Sequence, residues 1–388
     1  MFIKRVIEDL LNKMLKQFPA VIITGPRQAG KSTLLSHTLK SHTYVTLDDP
    51  VQRKKAKDDP KLFLNAHKKP LIIDEIQYAP ELLSYIKMEI DQNRQSYGQF
   101  VLTGSQFFPL MQGVSESLAG RIGVLNLYPL SWQEISALPD WKKAKTDDDL
   151  LAQAILKGSY PELYANPNLM AGAWLASYFA TYIERDVRNL KAAIDINRFQ
   201  TFVQLLAARA GQLLKLSEVA KECRISESVA KDWISILEST YIIHLLRPYY
   251  HNTTKRLVKS PKIYFVDTGF LCYLLGIDDP KTLLMSGGHI FENMVIMNAV
   301  KSYAYDFKRT RFSFYRTYKG EEVDLIIERG METHAYEIKF SHNITKNATS
   351  SLLKFAEDKP DAKLAVLSLR SDTLPLTKTV SARHWSIL

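Results

Sequence analysis

Eight residues near the amino terminus have the spacing of a phosphate-binding loop. They read GPRQAGKS, which matches the pattern G-x-x-x-x-G-K-[ST], between a predicted buried strand and a predicted helix. Glycines allow such a backbone to wrap phosphates, and the N–H groups at the helix start bind them. We expect Lys31 to reach the β- and γ-phosphates and Ser32 to ligate Mg²⁺. The predicted nucleotide-binding residues are Gly25, Pro26, Arg27, Gln28, Ala29, Gly30, Lys31, Ser32 and Thr33.

Two adjacent carboxylates follow a second apolar run. Asp74 and Glu75 come directly after Leu71 to Ile73, and ligands of open α/β sheets bind at the carboxyl ends of the strands. We expect Asp74 to hold Mg²⁺ through water and Glu75 to polarise the attacking water. Thr103 and Ser105 end another apolar run, where they would sense the γ-phosphate or the water. Structural hydrogen bonds explain these two hydroxyls equally well.

Arg121 is a candidate arginine finger. It lies among small residues in the segment ESLAGRIG, which favours a close contact. An arginine at this place would stabilise charge in the transition state, within its own subunit or on a neighbouring one. A surface ion pair is the alternative. An arginine that acts on a neighbouring subunit would make the protein a homo-oligomer.

A second set of charged residues falls on a predicted hairpin at 322–340, which reads EVDLIIERGMETHAYEIKF. Side chains alternate faces along a strand, so Glu337 and Lys339 share one face, and a hairpin register can place Asp324 beside Glu337. Carboxylates on a divalent ion, with a lysine near the attacking water, perform metal-assisted hydrolysis. Asp324 and Glu337 are therefore candidate metal ligands, with Glu292 approaching from a preceding helix. An ordinary salt-bridged sheet face explains the same residues.

The order of elements around this hairpin carries a resemblance. Helix, three strands, helix and strand resemble the core of restriction-endonuclease-like nucleases. Glu292, Asp324, Glu337 and Lys339 then fit the E…D…E-x-K pattern of that group, although Val323 stands where the strict pattern has proline. The resemblance implies a small PD-(D/E)xK-like α/β domain.

A basic stretch precedes the hairpin. Residues 301–319 contain six Lys and Arg residues against one acid, Asp306, and such a flank suits a phosphate backbone. The six are Lys301, Lys308, Arg309, Arg311, Arg316 and Lys319. The whole chain carries a net charge of +10, which is compatible with a nucleic-acid partner and equally with a solvated basic surface.

The remaining composition is that of a globular protein. The 388 residues are 46% hydrophobic and 24% charged, which indicates two or three domains. The two cysteines, Cys223 and Cys272, lack neighbours at metal-ligand spacing, so neither a zinc site nor a disulfide framework is indicated. No run approaches the roughly 18 apolar residues of a membrane span, and the amino terminus lacks a signal-peptide pattern. We expect a cytoplasmic protein without membrane contact.

The elements divide into three predicted parts. Residues 1–138 read as a P-loop NTPase domain of the α/β class with a parallel sheet. Residues 139–260 read as a helical and winged-helix connector, because two short helices at 218–222 and about 227–238 precede two strands joined by a basic linker that carries Lys255, Arg256 and Lys259. Residues 261–388 contain the endonuclease-like elements.

The ordered set of motifs resembles one family across nearly the whole chain. The segments are ITGPRQAGKSTLL, TLDDP, LIIDEIQ, VLTGSQ, SLAGRIGVLNLYPLSWQE, SYFATYIERDVRNL, IYFVDTGFLCYLLG and FENMVIMNAV. Together they are similar to the prokaryotic AAA-type ATPases that carry the C-terminal domain DUF4143. The resemblance implies ATP as the nucleotide and Mg²⁺ as its metal. It implies little about a cellular role.

We therefore expect an ATP-hydrolysing AAA-type ATPase that engages DNA non-specifically through its C-terminal half. Metal-dependent DNA cutting by the hairpin is one open possibility, and an endonuclease-like fold that only holds DNA is another. A third is a nucleotide-controlled switch that docks a partner protein and carries an inactive endonuclease-like domain.

Overall fold

A computed structural model describes residues 2–104, 114, 117–139, 146–182, 195–249 and 258–388. The chain divides into two compact units. The first contains residues 1–130, 160–167 and 239–241, and the second contains 131–159, 168–238 and 242–388. Three residues of the sequence analysis, Ser105, Lys255 and Arg256, lie outside the described residues.

The first unit is built on a parallel sheet of five strands in the order β2-β3-β4-β1-β5. The strands are β1 (Ala20–Thr24), β2 (Thr43–Thr46), β3 (Leu71–Asp74), β4 (Phe100–Thr103) and β5 (Ile122–Asn126). β1, β3 and β4 are buried along their whole length, as expected for parallel strands covered on both faces. The predicted parallel α/β sheet is confirmed.

Short helices flank this sheet. They are α1 (Ile7–Met14), α2 (Lys31–Thr38), α3 (Pro50–Asp58), α4 (Pro60–Asn65), α5 (Leu82–Gln92) and α8 (Pro161–Ala165), with a 3₁₀ turn at Ile76–Tyr78. Local sequence sets two of their starts. Asp49 and Asp59 each precede a proline and accept a backbone N–H of the first turn, so Asp-Pro pairs begin α3 and α4.

The helices of the second unit precede and flank its sheet. They are α6 (Trp132–Ser136), α7 (Asp147–Lys157), α9 (Ala171–Tyr182), α10 (Ile196–Ala207), α11 (Leu216–Glu222), α12 (Glu227–Ser239), α13 (Thr268–Leu275), α14 (Pro280–Ser286), α15 (Gly288–Tyr303) and α16 (Ser350–Asp358), with 3₁₀ turns at Lys346–Thr349 and Trp385–Ile387. α15 is buried over most of its length, and Asn293, Asn298 and Lys301 are buried beside its apolar side chains.

The sheet of the second unit has eight strands in the order β12-β13-β11-β10-β9-β8-β6-β7. They are β6 (Ile243–Pro248), β7 (Lys262–Phe265), β8 (Thr310–Arg316), β9 (Glu322–Arg329), β10 (Glu332–Ile338), β11 (Lys363–Ser368), β12 (Leu374–Pro375) and β13 (Val380–His384). β6 pairs antiparallel with β7 and parallel with β8. The strands that the sequence indicates as a wing thus belong to the C-terminal sheet, and the predicted boundary at 260 lies between two of its paired strands.

The hairpin of β9 and β10 has the register that the sequence predicts. Glu332 pairs with Arg329 across a two-residue turn that begins at Gly330, whose φ of 65° suits glycine. Tyr336 pairs with Leu325, so the next step of the register sets Glu337 opposite Asp324. In the part of the chain that the structure describes, no helix is long and apolar enough to cross a membrane.

Candidate functional site

The phosphate loop joins β1 to α2 through three residues with positive φ. Gly25 has φ 138°, Gln28 61° and Gly30 91°. A Cβ at Gly25 would lie 2.1 Å from the carbonyl oxygen of Leu127, so only glycine fits there. Lys31 begins α2 and is buried, and its ammonium donates to the carbonyl oxygens of Gly25 (3.0 Å) and Pro26 (2.9 Å). The loop thus has the strand, turn and helix context that its sequence predicts.

The carboxylate of Asp74 accepts hydrogen bonds from three hydroxyl groups at the carboxyl ends of the strands. The Ser32 hydroxyl donates to its Oδ2 at 2.8 Å, the Tyr44 hydroxyl donates to the same oxygen, and Thr103 donates to Oδ1. Ser32, Asp74 and Thr103 are predicted site residues, and the fold brings all three together. No motif in the sequence identifies Tyr44, although it stands on β2, whose last residue pairs with Asp74.

Glu75 directly follows this carboxylate in a strained conformation. Its φ of 60° and ψ of 48° lie in the left-handed region, which costs a non-glycine residue on the order of 1–3 kcal/mol. The Glu75 N–H donates to the Thr103 hydroxyl at 3.0 Å, and Gln77 donates its side-chain amide to the Glu75 carboxylate. Strain of this kind persists where surrounding contacts fix the backbone, and it often accompanies a functional side chain.

The side chain of Arg5 is hydrogen-bonded to the phosphate loop. It is buried, and its guanidinium donates to the carbonyl oxygens of Ala29 (2.8 Å) and Tyr128 (2.6 Å). One side chain therefore joins the phosphate loop to the chain after β5. No local pattern in the sequence identifies Arg5, because one of its partners is 123 residues away.

A cavity of about 320 Å³ opens beside the loop, within the first unit. Gly30 and Thr33 of the loop line it, with Phe2 and Arg5 from the amino terminus and Pro161 at the start of α8. The lining is more apolar than polar.

Arg121 lies at the opposite edge of the sheet from the loop. Ile122, the next residue, pairs with Ala20 at the amino end of β1, whereas the loop follows the carboxyl end of β1. The strand spans about 13 Å, which is longer than an arginine side chain. Arg121 instead donates two hydrogen bonds to the carboxylate of Asp91, from Nε to Oδ1 at 2.7 Å and from Nη2 to Oδ2 at 3.0 Å. A finger role within the same subunit does not fit this topology, and the role on a neighbouring subunit stays a prediction.

The residues at the loop fit ATP with Mg²⁺. The hydroxyl of Ser32 and the carboxylate of Asp74 are oxygen donors, which Mg²⁺ prefers, and they already touch. Backbone with positive φ at Gly25, Gln28 and Gly30 provides the concave turn in which successive N–H groups bind phosphate.

The C-terminal candidates also come together, around a residue that the sequence analysis missed. Lys262 begins β7, and its side chain is 2% exposed. Its ammonium lies 3.1 Å from Oε1 of Glu292 and 3.8 Å from Oδ1 of Asp324, and it forms an ion pair with Glu322. We call Glu292, Glu322, Asp324 and Glu337 the carboxylate cluster. Lys262 could be suspected from sequence as the one charged residue in an apolar strand.

The other contacts of the carboxylate cluster are equally specific. Asp324 accepts the backbone N–H of Ile338 at 2.8 Å, and Tyr264 donates to Oε1 of Glu292 at 2.6 Å. Lys339 donates to Oε1 of Glu337 at 2.6 Å, while Oε2 of Glu337 is buried and has no partner among the described atoms. The predicted face of Glu337 and Lys339 therefore exists, and it carries an ion pair.

Burial and charge shift the titration of these groups. Burial raises the pKa of Asp324 well above its usual range, and the neighbouring Glu292 and Glu337 raise it further against the opposing effect of Lys262. Burial also raises the pKa of Glu337, although Lys339 opposes this. For Lys262 burial alone would lower the pKa, but the three carboxylates around it outweigh that effect and raise it. Lys262 therefore keeps its charge.

The basic stretch divides into buried and exposed members. Lys301 is buried and donates to the Ser159 hydroxyl at 2.8 Å, and Arg316 pairs with Glu322 at 2.7 Å. These two are committed to internal contacts. The exposed members are Lys308, Arg309, Arg311 and Lys319, and the aromatic residues Phe307 and Tyr318 beside them are exposed as well.

Three family models match the chain. Residues 17–136 match an AAA domain, 148–281 a domain of unknown function (DUF8612) and 287–387 a domain of unknown function (DUF4143). Among solved structures, a Walker-type ATPase of Pyrococcus abyssi is 15% identical, with a TM-score of 0.47, over 71% of this chain and 96% of that chain.

Curated relatives match over most of the chain. An uncharacterized protein of Mycobacterium tuberculosis is 30% identical over 381 residues, which cover 96% of this chain and 81% of the relative. An uncharacterized protein of Haemophilus influenzae is 19% identical, over 87% of this chain and 86% of the relative. The order of the matched domains, the length of the match and the loop described above agree. The chain belongs to the family of AAA-type P-loop ATPases that carry a C-terminal DUF4143 domain.

Proposed function

We propose that the protein binds ATP with Mg²⁺ and hydrolyses it to ADP and phosphate. The observation that supports this most directly is the contact between the Ser32 hydroxyl and the Asp74 carboxylate, which joins the phosphate loop to the acid of the neighbouring segment. Ser32 lies on α2 and Asp74 ends β3, so the fold, and not a local turn, brings them together.

Each residue of the site has a role in the proposed reaction. Lys31 exchanges its bonds to the Gly25 and Pro26 carbonyls for bonds to phosphate oxygens. Ser32 and Asp74 hold Mg²⁺, which neutralises charge on the phosphates when bound. Thr103 fixes the orientation of Asp74 and the backbone of Glu75. Glu75 orients the attacking water and accepts its proton.

The cavity beside the loop is our proposed place for the base of the nucleotide. It adjoins Gly30 and Thr33, so a nucleotide whose phosphates lie in the loop extends into it. Phe2 supplies an aromatic surface there. Arg5, which also lines the cavity, fixes the adjoining phosphate loop through its hydrogen bond to the carbonyl oxygen of Ala29.

ATP turnover by matched lysine variants tests this proposal. Lys31→Ala is expected to lower Mg²⁺-dependent phosphate release on the order of 100-fold or more, because it removes a buried cation from the phosphates. Lys40→Ala, which changes an exposed lysine just after α2, is the control and is expected to keep the wild-type rate. Normal turnover by Lys31→Ala would contradict the site assignment.

A second proposed function is non-specific DNA binding by the C-terminal unit. The observation that favours it is the mixture of exposed cations and aromatic side chains on the segments that flank β8, namely Phe307 to Arg309 and Tyr318 with Lys319. Cations bind the phosphate backbone, and aromatic rings stack on exposed bases. Asp306, the acid of this stretch, is already paired with Arg329.

Fluorescence anisotropy with labelled single-stranded and duplex oligonucleotides tests the DNA proposal. The double variant Lys308→Glu and Arg309→Glu is expected to weaken binding and to reduce the slope of log K against log salt by roughly 1.5 to 2. The double variant Lys54→Glu and Lys57→Glu on α3 makes the same change in net charge and is expected to bind like wild type. Equal binding by both double variants would contradict the assignment, and no binding at low salt would favour the protein-docking alternative.

A further inference from the structure

The carboxylate cluster has the residue types of a metal site but not its arrangement. An endonuclease-like site needs at least two carboxylates free to ligate one divalent ion. Here the ammonium of Lys262 pairs with Glu292 and Glu322 and lies 3.8 Å from Asp324, while Glu337 pairs with the ammonium of Lys339. Within the described ranges, no group of three or more His, Cys, Asp or Glu residues is arranged to hold a metal ion. The residues present therefore do not fit the metal that the fold resemblance implies.

We propose that the ammonium of Lys262 is the resident cation of the carboxylate cluster and that the cluster binds no divalent metal. An ammonium that donates to carboxylates takes up the same oxygen lone pairs that a metal ion would need. An ammonium and a metal ion bound to the same carboxylates would repel each other. The low exposure of Lys262 leaves little water to screen that repulsion. The two occupants therefore exclude each other.

The surroundings of Lys262 support a permanent place for it. Tyr264, two residues further on the same strand, donates to the Glu292 oxygen that also receives the ammonium. The ammonium also lies 5.7 Å from the centre of the Phe314 ring, which favours a cation. Arg316 binds the second oxygen of Glu322 and holds that carboxylate from the outside. A buried lysine without such partners would lose its charge.

The proposal concerns the metal content of the C-terminal unit and does not depend on ATP hydrolysis. It predicts that nucleotide-free wild-type protein and Asp324→Asn give the same Mn²⁺ binding curve, measured by the electron paramagnetic resonance signal of free Mn²⁺. Any Mn²⁺ held at the phosphate loop contributes equally to both curves. One additional Mn²⁺ bound by the wild type would overturn the proposal, and this comparison requires no change at Lys262.

Replacement of Lys262 provides a second test of whether its ammonium excludes a metal ion. Lys262→Met keeps the length of the side chain and removes the charge, so it is expected to lower the Tm on the order of 10 °C and to create a Mn²⁺ site. Mn²⁺ should restore part of the lost Tm, and the added change Asp324→Asn should abolish the new site. Lys363→Met, at an exposed lysine on β11, is the control with no expected effect. A folded Lys262→Met protein that takes up no additional Mn²⁺ would overturn the proposal.

Discussion

The hydroxyl of Ser32 donates a 2.8 Å hydrogen bond to Oδ2 of Asp74, 42 residues further along the chain. Ser32 lies at the start of α2, and Asp74 ends β3. Because both positions fall at the carboxyl edge of one parallel sheet, a hydroxyl and a carboxylate meet where the phosphates of ATP are expected to lie.

Ser32→Ala is expected to lower ATP turnover at least about 10-fold, because it removes an oxygen ligand of Mg²⁺. The loss should become smaller as the Mg²⁺ concentration is raised, because a higher concentration offsets the weaker binding of the ion. Steady-state phosphate release over a Mg²⁺ titration measures this. Ser36→Ala, at an exposed serine on the same helix, is the control. A rate for Ser32→Ala equal to wild type at every Mg²⁺ concentration would contradict the role.

Arg5→Met is expected to destabilise the first unit and to weaken ATP binding. The change leaves the buried carbonyl oxygen of Ala29 without this donor, at a cost of about 1–3 kcal/mol, and also removes the donor to the half-buried carbonyl oxygen of Tyr128. Thermal unfolding with and without ATP measures both effects. Lys4→Met, at the exposed neighbouring position, should change neither the Tm nor its shift with ATP. A wild-type Tm and ATP affinity in Arg5→Met would show that the hydrogen bonds of Arg5 are needed neither for stability nor for ATP binding.

A finger role for Arg121 on a neighbouring subunit predicts complementation between two inactive variants. Arg121→Ala keeps an intact loop, Lys31→Ala keeps an intact arginine, and a mixture of the two should hydrolyse ATP faster than either alone. Asp91→Ala releases Arg121 from its ion pair and should remain active. If Arg121→Ala alone turns over ATP at the wild-type rate, Arg121 forms only a surface ion pair with Asp91.

Asp324→Asn is expected to gain stability relative to wild type as the pH rises. The pKa of Asp324 is raised in the folded protein, so the unfolded chain loses this proton first. The contribution of Asp324 to the free energy of unfolding is therefore greatest below about pH 4 and declines as the pH rises through the folded pKa. The amide of the variant can still accept the Ile338 N–H.

Urea unfolding of wild type and Asp324→Asn at pH 4.5 and pH 7.5 measures this difference. Asp278→Asn, at an exposed carboxylate, controls for a general loss of one negative charge. A stability difference between Asp324→Asn and wild type that is the same at both pH values would show that the carboxyl of Asp324 titrates normally.

The sequence predicts the parts of both sites that depend on local spacing. The loop from Gly25 to Ser32 is continuous in sequence, and a strand must precede it, so its structure follows from a short motif. The register that sets Glu337 opposite Asp324 follows from a two-residue turn at Gly330, because alternation along the strands then fixes both faces.

The residues that the sequence analysis missed are those whose partners are distant. Lys262 reaches its carboxylates because β6 and β7 belong to the C-terminal sheet. In the sequence, the basic linker after β6 favours a winged helix for these two strands instead. Arg5 and Tyr44 act through a carbonyl and a carboxylate on other elements. No local pattern identifies such partners, since they depend on how strands that are far apart in sequence pair.

ATP binding and turnover by Glu75→Gln test the proposed ATPase site. Wild type is expected to hydrolyse ATP in the presence of Mg²⁺. The variant should bind ATP with unchanged affinity and turn it over roughly 10² to 10⁴ times more slowly, because an amide cannot accept the proton of the attacking water. Wild-type turnover by Glu75→Gln, or no ATP hydrolysis by the unmodified protein, would contradict the proposed site.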